Sequence, residues 1–137
     1  MAEGSAVKRE QEEFSKKTVL IVDDEAGMRT LLRAVVEGTS VPCRIVEAAD
    51  GDSAVEIARR DRPDVVLLDI VLPGSSASGV LVCQKLCKDS RTKVVIVSGQ
   101  AGKSIIDACL NAGAIEHVQK PFSVPEMRAR MERWLSQ

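Results

Sequence analysis

From Thr18 onward the chain alternates short runs of consecutive apolar residues with longer stretches in which apolar positions recur every three or four residues. The runs at Val19–Val22, Val65–Leu68 and Val94–Val97 contain only valine, leucine and isoleucine. Uninterrupted runs of this kind predict strands covered on both faces, as in the interior of a parallel sheet. Weaker strand signals lie at Cys43–Ala48 and Ile115–Val118. Between the strands, Met28, Leu31, Leu32, Val35 and Val36 follow the i, i+3, i+4, i+7, i+8 spacing of one helix face. Ala54, Ile57 and Ala58 begin the same pattern, as do Val82, Cys83 and Leu86. Ile105, Ala108, Cys109 and Ala112 make a fourth stripe, and Met127, Met131, Trp134 and Leu135 a fifth. Gly38 and Gly113 stand where C′ glycines end helices, and Ser123 with Glu126 three residues later forms a capping box that opens the last one.

Strands alternating with helices in this way predict an α/β fold, a doubly wound parallel five-stranded sheet with right-handed crossovers. Residues 1–17 are polar and mixed in charge, and predict a flexible lead-in, with a short helix over residues 9–14 as the lesser alternative. Residues 18–137 then form one domain, long enough to fill a core without a disulfide or structural metal. Nineteen basic residues against twenty acidic ones give a net charge of −1, which argues against direct nucleic-acid binding driven by phosphate neutralisation. The aromatics are Phe14, Phe122 and Trp134, too few to make a base-stacking platform. No apolar run approaches the ~20 residues of a membrane span. Residues 1–17 lack the apolar segment of a signal peptide, so the expected setting is cytoplasmic, away from the membrane. Cys43, Cys83, Cys87 and Cys109 contain no C-x-x-C pair, and the single histidine, His117, is distant from them in sequence. Buried thiols are expected rather than a zinc site. Cys83 and Cys87, at i and i+4, share one helix face.

In a parallel sheet of this type, ligands sit beyond the carboxyl ends of the strands. The first strand ends in Asp23-Asp24-Glu25, the third in Asp69, the fourth in Ser98-Gly99 and the fifth in Lys120-Pro121. Clustered carboxylates raise one another's pKa unless a cation joins them, and oxygen ligands with a hydrated open position suit Mg²⁺. A metal beside an aspartate, with Lys120 and Ser98 at hand, makes a phosphoryl site: nucleophile, charge clamp and hydrogen-bond donor. Taken singly, Asp23-Asp24 read better as helix caps, and Asp69 before Ile70-Val71-Leu72-Pro73-Gly74 equally well as a turn residue. Their placement together, at successive strand ends, is what points to chemistry.

The stretches TVLIVDDE, VEAADG, PDVVLLDIVLPG, VVIVSG and VQKPF resemble, in order and spacing, the receiver domains of two-component response regulators, over Lys17 to about Leu135. The resemblance implies a flavodoxin-like (βα)5 fold with strand order 2-1-3-4-5. It implies that Asp69 is the phosphoacceptor. Mg²⁺, or Mn²⁺ in its place, is then held by Asp23, Asp24, Asp69 and the backbone carbonyl of Val71, directly by Asp24 and more through water by Asp23. Ser98 matches the switch hydroxyl that bonds the phosphoryl group, and Lys120 the lysine that pairs with it, in a Lys-Pro bond that is usually cis. The implied donor is a sensor histidine kinase, a histidine phosphotransfer protein or a small acyl phosphate. The product is an aspartyl phosphate that water hydrolyses, so the protein is expected to be a self-modifying switch and not an enzyme with turnover. As no output domain follows Leu135, the expected output is a downstream protein partner or a homodimer through the face of the fourth helix, fifth strand and fifth helix.

Three positions depart from the family pattern. His117 stands where an aromatic relay residue is usual, and matches the second switch position. The run from Pro73 to Ser78 makes the loop before Gly79 about two residues longer than is common. Gly99 replaces the more frequent alanine. Val71 and Gln100 occupy positions that tune the lifetime of the phosphate, with opposing effects. A phosphorylation-independent scaffold is the competing reading, and retention of the five site residues speaks against it. An aspartyl-nucleophile phosphatase of haloacid-dehalogenase type needs Asp-x-Asp, whereas Val71 stands two residues after Asp69. A flavin carrier shares the fold, but Asp-Asp-Glu in the first turn repels a flavin phosphate.

Overall fold

The computed structural model describes residues 16–72 and 78–137. The predicted lead-in, apart from Lys16 and Lys17, and the loop residues 73–77 lie outside the described residues. In chain order the elements are β1 (Lys17–Val22), α1 (Ala26–Glu37), β2 (Cys43–Ala48), α2 (Gly51–Asp61), β3 (Val65–Leu68), α3 (Gly79–Leu86), β4 (Lys93–Ser98), α4 (Lys103–Ala112), β5 (Glu116–Gln119) and α5 (Val124–Ser136). The strands pair in parallel in the order β2-β1-β3-β4-β5, as expected. Among the described residues no helix is long and apolar enough to cross a membrane.

The uninterrupted apolar runs are explained by a core on each side of the sheet. Val19, Ile21, Leu67, Val95 and Val97 face α1 and α5, where Leu32, Val35, Val36, Met127, Met131 and Trp134 complete one cluster. Leu20, Val22, Val66, Leu68, Val94 and Ile96 face the other way, against Ala54 of α2, Val82, Cys83 and Leu86 of α3, and Cys109 of α4. β1, β3 and β4 thus supply both cores alternately, with the strand period of two.

The structure differs from the expectation in local details. Gly38 ends α1 in a right-handed conformation (φ −78°), so it is not a left-handed C′ glycine. Its nitrogen donates back to Ala34 and Val35 carbonyls, as a tightened last turn does. Gly113 after α4 does have a positive φ, +126°. A Cβ there would stand 3.1 Å from Cys87 Cβ, so packing as well as backbone favours glycine. Half of the capping box forms: Ser123 Oγ accepts from Glu126 N, while the Glu126 carboxylate accepts from Arg130 one turn on. Leu31 and Ile105, both on predicted stripes, are exposed, and Ile106 packs in place of Ile105. Cys83 and Cys109 are buried free thiols, whereas Cys43 and Cys87 are half-buried. Cys83 and Cys87 Sγ lie 3.9 Å apart.

Candidate functional site

The backbone of the site is an extension of the sheet. Asp69 N donates to Val22 O (2.9 Å) and Asp23 N to Ala48 O (3.1 Å), carrying the ladder one step past β3 and β1. Ser98 is the last residue of β4, and its carbonyl accepts from Lys120 N across to the end of β5 (3.1 Å). The Lys120–Pro121 peptide is cis. Four chain segments distant in sequence are thereby fixed side by side at the carboxyl edge.

The side chains repeat one arrangement twice. Asp23 Oδ1 accepts from Glu25 N (2.9 Å) and its Oδ2 from Lys120 Nζ (2.6 Å). Asp69 Oδ1 accepts from Val71 N (2.9 Å) and its Oδ2 from the same Lys120 Nζ (3.3 Å). Each buried carboxylate therefore uses one oxygen on a backbone N–H and the other on the shared ammonium. Asp24 is exposed, and one oxygen from each of Asp23, Asp24 and Asp69 lies within 4.8 Å of the others. Three carboxylates around one ammonium leave an excess of negative charge. Burial pushes the Asp69 carboxyl above the usual carboxylate range, the Val71 N–H and Lys120 oppose this, and the Asp23 charge adds to it. Burial works against the Lys120 charge, but the Asp23 and Asp69 carboxylates outweigh it and hold the ammonium above the ordinary lysine value.

Ser98 is buried (2% exposed), and its Oγ has no hydrogen-bond partner among the described residues. A buried unsatisfied hydroxyl costs about 1–3 kcal/mol, so an acceptor brought to it would be held. His117 Nε2 is likewise buried and unpartnered. Ser98 and His117 line the same cavity of about 290 Å³, together with Gly99, Ala101, Lys103 and Gln119.

Asp23, Asp69, Ser98 and Lys120 thus meet at one edge with Asp24, and Val71 is tied in through its N–H. Neither aspartate of the first turn caps α1. Glu25 is the N-cap residue, without a side-chain bond to the helix, and Asp23 turns its carboxylate back onto Glu25 N. The sequence reading missed Arg29, whose Nη1 donates to the Asp23 carbonyl (2.6 Å) while its Nε rests on Glu47 of β2 (3.1 Å). Arg33, one turn further on α1, bonds the second Glu47 oxygen at 2.7 Å. Two arginines at i and i+4 and one strand glutamate were the available signal, legible only once β2 is placed beside β1.

A parallel five-stranded sheet of order 2-1-3-4-5, with an acidic cluster, a lysine and a serine at its carboxyl edge, defines a phospho-accepting receiver fold. Residues 19–132 match the response regulator receiver domain, and the chain belongs to that family. It is 36% identical over 117 residues to a protein named probable transcriptional regulator ycf27 from Guillardia theta, covering 85% of this chain and 44% of that one. It is 33% identical to sporulation initiation phosphotransferase F of Bacillus subtilis (strain 168), covering 85% of this chain and 92% of that one. The CheY-like response regulator receiver domain protein of Methanospirillum hungatei JF-1 superposes with a TM-score of 0.79 at 25% identity, covering 89% and 95% of the two chains. The chain spans about half the length of the ycf27 relatives it matches. Receiver domains are the phospho-accepting switches of two-component phosphorelays, and this chain is one of them.

Proposed function

We propose that Asp69 takes the phosphoryl group and that Asp23, Asp24, Ser98 and Lys120 make the transfer and its consequence possible. The observation that carries this reading is the shared ammonium: Lys120 Nζ stands 2.6 Å from Asp23 and 3.3 Å from Asp69. The longer contact leaves Asp69 the more weakly held of the two.

The three carboxylate oxygens within 4.8 Å, on a rim open at Asp24, fit a hard divalent cation with several waters. Asp23, Asp24 and Asp69, with the Val71 carbonyl, would hold Mg²⁺, or Mn²⁺ in its place. Bound there, it would neutralise charge on the transferring oxygens. Asp69 attacks phosphorus through a carboxylate oxygen, and the bond from phosphorus to the donor imidazole nitrogen breaks with its electron pair going to nitrogen. Lys120, charged at neutral pH, moves from the carboxylates toward the new phosphoryl oxygens. Ser98 Oγ gains the acceptor it lacks, and its movement opens space into the cavity it shares with His117. A two-state rearrangement of this edge would carry the signal to the α4-β5-α5 face, where Ile105 is already exposed.

In this reading the donor is a sensor histidine kinase or histidine phosphotransfer protein in the cytoplasm. The output is a downstream protein partner, or a second copy, bound on α4-β5-α5. Hydrolysis of the aspartyl phosphate by water resets the switch. Intact-mass measurement after brief incubation with acetyl phosphate and Mg²⁺ tests the reading. One phosphoryl adduct is expected on the parent protein and none on Asp69→Asn or in EDTA. An adduct of equal yield on Asp69→Asn contradicts it.

A further inference from the structure

A basic cleft lies away from the acidic edge. A cleft of about 500 Å³ lies between α2 and α3 at the opposite end of the sheet, beside the segments that lead into β3 and β4. Arg59 and Arg62 from α2 and its cap, Lys85 and Lys88 from the end of α3, and Arg91 from the following turn line it. Among the described residues one carboxylate lines it, Asp89, which pairs with Arg91 at 3.3 Å. Arg59, Arg62, Lys85 and Lys88 have no carboxylate at ion-pair distance among the described residues. Five cations and one acid give the cleft +4, in a chain whose net charge is −1. The remaining 14 basic and 19 acidic residues therefore sum to −5.

The concentration of charge is local, and all five cations are exposed. Val55, Ala58 and Leu86 add apolar surface to its lining, and Thr92 Oγ1 donates to the Pro63 carbonyl (2.8 Å), tying the loop before β3 to the loop before β4. Arg62 has a left-handed backbone (φ 47°), the only such non-glycine among the described residues. A glycine or asparagine would suit that cap better; an arginine there keeps a guanidinium at the mouth of the cleft in spite of the backbone. Like charges facing one another across a cleft repel unless an anion joins them. Guanidinium forks match phosphate oxygens, two at a time, and the apolar lining offers a surface for a sugar or base.

We propose that this cleft is a second, separate binding site, for an organic polyphosphate of nucleotide size. Its volume lies in the small-ligand range of roughly 300–1,000 Å³. A duplex or single-stranded nucleic acid fits less well, since the cations surround one bounded cleft and neither described aromatic, Phe122 or Trp134, lines it.

Titration calorimetry of the full chain with ATP in EDTA tests the site, because without a divalent cation the acidic edge only repels the ligand. Binding tighter than about 1 mM is expected. Tripolyphosphate should displace ATP and adenosine should not. Arg62→Gly, which suits the left-handed backbone and so preserves the fold, combined with Lys85→Ala should weaken binding by about tenfold or more. Arg60→Ala, on the same helix but ion-paired with Asp61 at 3.1 Å, should bind ATP as the parent does. Absence of ATP binding, displacement by adenosine alone, unaltered affinity in the double variant, or preferential binding of an oligonucleotide or poly-glutamate each overturns the proposal.

Discussion

Asp69 carries a cost in the metal-free fold that its unfolded counterpart does not. Burial is the largest influence on its carboxyl and raises its pKa above the unfolded value. The folded state therefore holds the proton more tightly. Below the ordinary carboxylate range both states are protonated and nothing is lost; as pH rises through the raised value, the folded state must bear a desolvated charge. Asp69→Asn removes that charge and keeps an oxygen for the Val71 N–H. In EDTA the variant should unfold at a higher temperature than the parent near pH 7, with the difference shrinking toward about pH 3. Thermal unfolding followed by circular dichroism across that range checks the sign. A gain that is the same at both ends would show that burial of the Asp69 charge is not its source.

At the scale of elements, the start of α3 packs closely on Ile70, the residue after Asp69. Gly79 opens that helix, and a Cβ there would stand 2.0 Å from the carbonyl oxygen of Ile70, the residue next to Asp69. Only glycine lets the helix start so close to the strand end. Gly79→Ala should cost about 1–3 kcal/mol, as overpacking does, and should also slow phosphorylation by moving Asp69. Urea denaturation beside an acetyl phosphate time course reads both, and a neutral effect on both would contradict this packing. The sequence carried the strands well where both faces are buried: β3 falls at Val65–Leu68 as predicted, because four consecutive apolar residues have no other use. It carried β5 less well, one residue out of place, because at this edge only Val118 is buried and the alternation is lost. On α4, Ile105 and Ile106 are adjacent and both apolar, so periodicity alone could not choose which one faces the core. Ser123 announced the start of α5 through its side chain, whereas C-terminal ends were legible only where the backbone demands it: Gly113 conforms, Gly38 does not, and Arg62 takes a left-handed position that no residue preference announced.

Over the whole molecule, a net charge near zero conceals two poles. The carboxyl edge of the sheet gathers Asp23, Asp24 and Asp69, and the opposite end of α2 and α3 gathers five cations. The acidic pole was legible in the sequence because each of its residues ends a recognisable strand. The basic pole was not, since Arg59 and Arg62 lie more than twenty residues from Lys85 and only the packing of α2 on α3 unites them. Nor was the sharing of Lys120 by two carboxylates, which depends on side chains 97 and 51 residues away. The central claim is that phosphoryl transfer ends on the Asp69 carboxylate, and chemical trapping tests it most directly. Borohydride reduces an aspartyl phosphate to homoserine, so the protein is phosphorylated with acetyl phosphate and Mg²⁺, reduced, digested and read by mass spectrometry. Homoserine at position 69, and at no other aspartate, is the predicted result. Homoserine at Asp23 or Asp24, or aspartate intact at 69 in protein that carries the phosphoryl mass, would contradict it.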